Sequence, residues 1–127
     1  MNQYRVELPV FNGPLDLLLH LIEREELDIT AVSLVQVTGQ YLEQVRQLGD
    51  EQLEGLIDFI SIGARLLLIK SRALLPRPPV LPGDEVEEED PTEALLRQLR
   101  AYKRFKTAAQ WLDGRQRRGL RTYLRVA

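Results

Sequence analysis

The sequence predicts an all-α protein in the main, and three observations support this fold class. Apolar residues recur three and four positions apart along four segments, which is the period of a helix packed along one side. These segments are bounded by residues that start or stop helices, namely Pro14, Gly49, Pro76 and Pro91. Only residues 4–10 alternate apolar and polar side chains as a strand does. We therefore expect a small N-terminal helical domain with one short extended strand or arm, an acidic proline-rich linker and a separate C-terminal helix.

Composition and charge narrow the class of protein. A chain of 127 residues that is 44% apolar suits one compact domain, or a small domain with an arm, and the absence of cysteine excludes disulfides and thiolate metal sites. The net charge is −5 over residues 1–75, −6 over residues 76–93 and +9 over residues 94–127. The longest apolar run, residues 15–22, is far shorter than the roughly 20 residues that span a bilayer. We expect no membrane partner.

The first helix is predicted from the stretch FNGPLDLLLHLI, residues 11–22. Asn12 or Gly13 suits the N-cap, Pro14 suits the first helical position, and the helix should run to about Glu26. Four apolar residues share one side and two more lie beside it: Leu15, Leu18, Leu19 and Ile22, then Leu17 and Leu21.

The second and third helices follow directly. Ser33 with Gln36 three residues later has the spacing of a capping box, and Gly49 suits the residue after the helix. A third helix, the longest of the four, should then run over about residues 50–75, where Pro76 ends it.

The third helix carries two apolar stripes, whereas a surface helix needs only one. A helical domain of about 75 residues can hardly cover both sides of a helix roughly 37 Å long, so the second of the two stripes named below should dock onto another protein, with an exchange of the two stripes as the alternative. Which stripe faces inward is left open by the sequence. The first stripe is Leu53, Ile57, Ile60, Ala64, Leu67, Ser71 and Leu74, and the second stripe is Phe59, Ile62, Leu66, Ile69 and Ala73.

The remaining chain divides into a linker and a fourth helix. Prolines and clustered acidic residues over residues 76–89 predict an extended linker between domains 1–75 and 90–127. Asp90 suits the N-cap of the fourth helix and Pro91 its first position. Gly114 or Gly119 should end that helix.

The apolar side chains of the fourth helix have no partner within their own segment. Either the linker returns this helix to the first domain, or a second protein covers it; the proline-rich spacer favours the second protein. The side chains in question are Leu95, Leu99, Tyr102, Phe105 and Trp111.

No catalytic constellation is evident in the sequence, and we expect neither an enzyme nor a cofactor or metal site. The one histidine, His20, falls between leucines of the first helix, where a structural role is favoured. The basic C-terminal segment, with tyrosines among its arginines, supports an alternative function as a nucleic-acid-binding module.

Several motifs together resemble one family. GPLDLLLHLI, ELDI, QYLEQV and LLLIKSRALLP occur in this order, followed by an acidic run and then DPTEALLRQLRAYKRFKTAAQWL. The arrangement resembles the bacterial kleisins of the segregation and condensation protein A (ScpA) family over nearly the whole chain.

The resemblance implies a non-catalytic subunit of a condensin-like SMC complex, cytoplasmic and nucleoid-associated, that meets DNA only indirectly. In that family an N-terminal helical domain binds the coiled-coil neck of an SMC ATPase, and the following segment binds a dimer of segregation and condensation protein B (ScpB). A C-terminal winged-helix domain binds the other SMC subunit, and no stretch of this sequence resembles it. By this resemblance, SMC-binding residues are expected at Leu17, Leu21, Phe59, Ile62, Leu66 and Ile69. ScpB-binding residues are expected at Leu95, Leu99, Tyr102, Phe105 and Trp111.

Overall fold

The computed structural model describes residues 11–48, 53–76 and 90–126, and this part of the chain contains four helices and no strand. They are α1 Pro14–Arg24, α2 Ala31–Arg46, α3 Leu53–Leu74 and α4 Pro91–Val126. The mainly α-helical fold class is confirmed. The strand predicted over residues 4–10 and nearly all of the linker lie outside the described residues.

Helix α1 is the centre of the fold. Five of its apolar side chains, in successive turns, are at most 1% exposed. The helix contacts all three other helices. The predicted start is confirmed, with Gly13 as N-cap and Pro14 in the first turn. Gly13 has φ +131°, a conformation that side-chain-bearing residues rarely adopt. The buried residues are Leu17, Leu18, Leu19, Leu21 and Ile22.

The end of α1 has the hydrogen bonds of a Schellman motif without its usual glycine. The N–H of Glu26 donates to the carbonyl of Glu23 and the N–H of Leu27 to that of Ile22, each at 3.0 Å. Glu26 occupies the left-handed position, with φ +56°. The helix ends at Arg24, two residues before the predicted end, because this turn redirects the chain.

Helix α2 begins at Ala31, so the predicted start at Ser33 is wrong. Thr30 is the N-cap, and its side chain accepts a hydrogen bond from the Ser33 N–H at 3.2 Å. The Ser33 hydroxyl accepts one from the Thr30 N–H at 2.9 Å. Ser33 therefore closes the capping box from its third position rather than opening it, a role usually taken by Glu or Gln.

Helices α2 and α3 form the largest interface between helices. The buried Tyr41 hydroxyl donates to the Phe59 carbonyl at 2.8 Å, and burial raises the pKa of this phenol well above its usual value. A Cβ at Gly63 would lie 3.2 Å from a methyl group of Leu42, so glycine permits this close approach.

The first turns of α4 pack against α1, α2 and α3, with Leu95, Leu96 and Leu99 at most 2% exposed. The sequence left open whether these turns pack on the first domain or on a second protein. The structure shows them packed on the first domain. The predicted ends at Gly114 and Gly119 are wrong, because α4 continues to Val126. The prediction that the third helix is the longest is wrong for the same reason, since α4 has 36 residues and α3 has 22. A Cβ at either glycine would meet nothing, so both are isolated helix-interior glycines, which cost about 1 kcal/mol each without ending a helix.

Candidate interaction surfaces

The six side chains expected to bind SMC all lie in the core of this fold. None is more than 8% exposed. Four of them are the second stripe without Ala73, and they lie on the side of α3 that faces α1 and α2. In this conformation they offer a partner almost no surface, and their assignment to SMC stays a prediction. They are Leu17, Leu21, Phe59, Ile62, Leu66 and Ile69.

The first stripe lies on the opposite, outward side of α3. Four of its large side chains are 49% to 77% exposed, with Ala64 and Ser71 between them. From position 57 to position 74 the stripe steps by three and four residues in strict alternation, which is the pattern of a coiled-coil seam. At 1.5 Å per residue it is roughly 26 Å long. The four large side chains are Ile57, Ile60, Leu67 and Leu74.

The residues expected to bind ScpB divide between the core and the surface. Leu95 and Leu99 are fully buried against the other helices, and Tyr102 packs at the edge of the core. Phe105 and Trp111, beyond that edge, are 71% and 56% exposed. Only these last two present a large apolar surface to a partner, and the binding assignment of all five stays a prediction.

An ion pair marks the point where α4 leaves the core. The Lys106 ammonium lies 2.7 Å from Asp16 Oδ1, while the other carboxylate oxygen accepts the Asn12 N–H at 3.0 Å. Burial alone raises the pKa of Asp16, but the hydrogen bonds from Lys106, Asn12 and Tyr102 and the charge of Lys106 together lower it below its usual value. The hydrogen bond to Asp16 likewise raises the pKa of Lys106, against a smaller lowering by burial.

Two further polar contacts attach α4 to α3 and to the segment between α1 and α2. Arg100 donates to the Ile29 carbonyl at 2.9 Å, and Arg65 of α3 donates to Gln98 at 3.0 Å. Sequence reasoning missed these contacts, because the partner of Asp16, Lys106, is 90 residues away. The hint in the sequence was the acidic Asp16 between two leucines of the first helix.

Two other expectations concern chemistry and membranes. The ring of His20, which is exposed, packs at 5.3 Å from the ring of Phe11. Within the described ranges, no three acidic, histidine or cysteine side chains are grouped to hold a metal ion. Among the same residues, no helix combines the length and the apolar character needed to cross a membrane.

The chain belongs to the ScpA family, whose members are bacterial kleisins. The sequence profile described as "Segregation and condensation protein ScpA" matches residues 21–127, which is most of the chain.

Individual relatives agree with the family match. The chain is 40% identical over 121 residues to segregation and condensation protein A of Clostridium tetani, covering 95% of this chain and 48% of the relative. It is 47% identical over 108 residues to that of Desulfitobacterium hafniense, covering 84% and 41%. The chain thus spans about half the length of the curated relatives it matches.

Proposed function

We propose that this chain is a non-catalytic kleisin subunit of a bacterial SMC complex and acts in chromosome segregation and condensation. It would bridge the SMC neck and the ScpB dimer. The observation that supports the proposal most directly is the first stripe of α3, an exposed row of large apolar side chains with coiled-coil spacing. Family membership supports the same role.

The first stripe suits a coiled-coil partner for geometric and energetic reasons. Docking into the groove of another helix pair would bury the exposed parts of Ile57, Ile60, Leu67 and Leu74. At about 1.5–3 kcal/mol for each fully buried side chain, and with half to three-quarters of each still to bury, the gross gain is roughly 4–8 kcal/mol. Association costs about 4–15 kcal/mol, so contacts beyond this stripe are needed. The SMC neck is therefore expected to cover more than α3.

A second surface, on α4, suits the second partner. Ala101, Phe105, Ala108 and Leu112 are spaced by four, three and four residues and lie on the outward side of the helix. We call these four residues the apolar face of α4. Phe105 and Leu112 are 71% and 54% exposed. We propose that ScpB covers this face, while Leu95 and Leu99 hold the base of α4 in the core.

The SMC contact is tested with the full chain and a purified SMC head-neck fragment. Ile60→Glu places a charge in the first stripe and should abolish binding, because the carboxylate loses its hydration without gaining a partner. Val32→Glu is the matched control, since Val32 is similarly exposed, at 65%, but lies on α2. Both variants should keep the helical circular dichroism spectrum. Equal binding by the two variants would refute the role of the stripe.

The ScpB contact is tested in the same way with a purified ScpB dimer. Phe105→Glu should abolish binding, and Gln110→Glu, an equal change of charge away from the apolar face, should not. Loss of binding in both variants would mean that overall charge of α4, rather than its apolar face, determines the contact.

A further inference from the structure

The exposed half of α4 has a second surface, distinct from its apolar face. At about 100° per residue, Arg100, Lys103, Arg104, Trp111 and Arg115 fall on one side of the helix, which we call the basic face. Trp111 follows Phe105 by six positions, which places the two side chains roughly 120° apart around the axis. The centres of the two faces are therefore roughly 100° apart, and the faces meet at Ala108.

The basic face carries no carboxylate. Asp113 is the single acidic residue of the segment 94–127. It lies about 160° around the helix from Trp111 and pairs with Arg117 at 3.2 Å. Lys106 faces inward to Asp16, so the inward and outward cations of α4 have different roles.

Trp111 and the residues around it give the basic face a defined shape. Lys103, Arg104 and Thr107 line a shallow groove with Trp111 and with Ala108, which lies at the edge of the apolar face. The Arg115 guanidinium lies 5.3 Å from the centre of the indole ring, a cation–π contact that holds its orientation. Arg100 uses one guanidinium nitrogen for the Ile29 carbonyl, at the start of the same face.

We propose that the basic face binds the sugar-phosphate backbone of double-stranded DNA without reading its sequence. From Arg100 to Arg115 the face is roughly 22 Å long and straight, so its cations follow one line along a phosphate backbone. Backbone contacts of this kind supply sequence-independent affinity by releasing counterions. A single strand fits less well, because among the residues whose side chains the structure describes the basic face carries one aromatic ring, Trp111, and stacking platforms use several. The proposal does not depend on the proposed contacts with SMC and ScpB.

The test measures binding of the full chain to a fluorescent 30-base-pair duplex of arbitrary sequence by anisotropy, between about 50 and 200 mM salt. Lys103→Gln with Arg104→Gln removes two cations of the basic face. The slope of log affinity against log salt should fall by about 1.8, which corresponds to a roughly 40- to 60-fold loss of affinity at 0.1 M salt. Arg46→Gln with Arg117→Gln makes the same change of charge away from this face and should retain most of the affinity.

The proposal would be overturned if the unaltered chain did not bind the duplex at about 50 mM salt, or if the two double variants lost equal affinity for it. Tighter binding to the matching single strand would also overturn it. So would displacement of the duplex by polyglutamate at equal charge concentration. Binding of the Lys103/Arg104 variant to ScpB is measured in parallel. Because the apolar face is unchanged, that binding should persist, which separates failure of this proposal from failure of the proposed function.

Discussion

Leu66 and Leu67 are neighbours in the sequence, yet they lie on opposite sides of α3. Leu66 is fully buried, and Leu67 is 49% exposed. Leu66→Ala should lower the free energy of unfolding by about 3 kcal/mol, within the 2–5 kcal/mol range of buried leucines. With a urea dependence of about 1.5 kcal/mol per molar, the midpoint should fall by roughly 2 M. Leu67→Ala should cost less than about 1 kcal/mol and shift the midpoint by under about 0.7 M, since half of its surface is already in water.

In binding to SMC, the order of the two variants should be reversed, with Leu67→Ala the more strongly affected. Burying the exposed half of Leu67 is worth about 1 kcal/mol, so Leu67→Ala should weaken binding to the SMC head-neck fragment roughly fivefold. The assays are urea denaturation followed by circular dichroism and titration of the SMC fragment at a temperature where both variants are folded. If Leu67→Ala lowers the urea midpoint as much as Leu66→Ala does, our assignment of the inward and outward stripes is wrong.

Three further predictions concern stability. Asp16→Asn should lower the free energy of unfolding at pH 7 by about 1–3 kcal/mol, since the charged hydrogen bond to Lys106 is lost. Because the folded pKa of Asp16 lies below its usual value of 3.8, the native chain loses this contribution only as pH falls below about 3.8 and through that lower pKa, so equal acid sensitivity in the variant would contradict the assignment. Tyr41→Phe should cost about 1 kcal/mol, and an unchanged thermal midpoint would show that the hydroxyl bond is not stabilising. Glu26→Gly should raise the free energy of unfolding by about 1 kcal/mol, because glycine adopts the left-handed conformation without strain. Glu25→Gly, at φ −85°, should lower it. Identical effects of the two variants would argue against backbone strain.

Local patterns predicted the helices well, because each helix is specified by nearby residues. Pro14 and Pro91 in the first turns of α1 and α4, and the spacing of apolar residues, needed no tertiary information. The start of α2 was misplaced because two hydroxyl residues, Thr30 and Ser33, compete for the N-cap, and only their mutual hydrogen bonds distinguish them.

The orientation of the stripes was beyond the reach of the sequence. Both stripes of α3 have helical spacing and large apolar residues, and periodicity alone does not say which one the domain buries. That choice is made by α1 and α2, which together pack on the second stripe. The base of α4 was equally inaccessible, because the Asp16–Lys106 pair joins residues far apart in the chain.

The first turns of α4 are packed in the core, whereas the turns directly after Lys106 are exposed. The helix can therefore act as a rigid lever. Its base is fixed by Leu95, Leu99 and the Asp16–Lys106 pair, and from Lys106 to Val126 it extends a further 30 Å or so. For a rigid arm of that length, a tilt of about 5° at the base moves the tip by roughly 2.6 Å. Small rearrangements around α1 would therefore be magnified into displacements of whatever the far end carries.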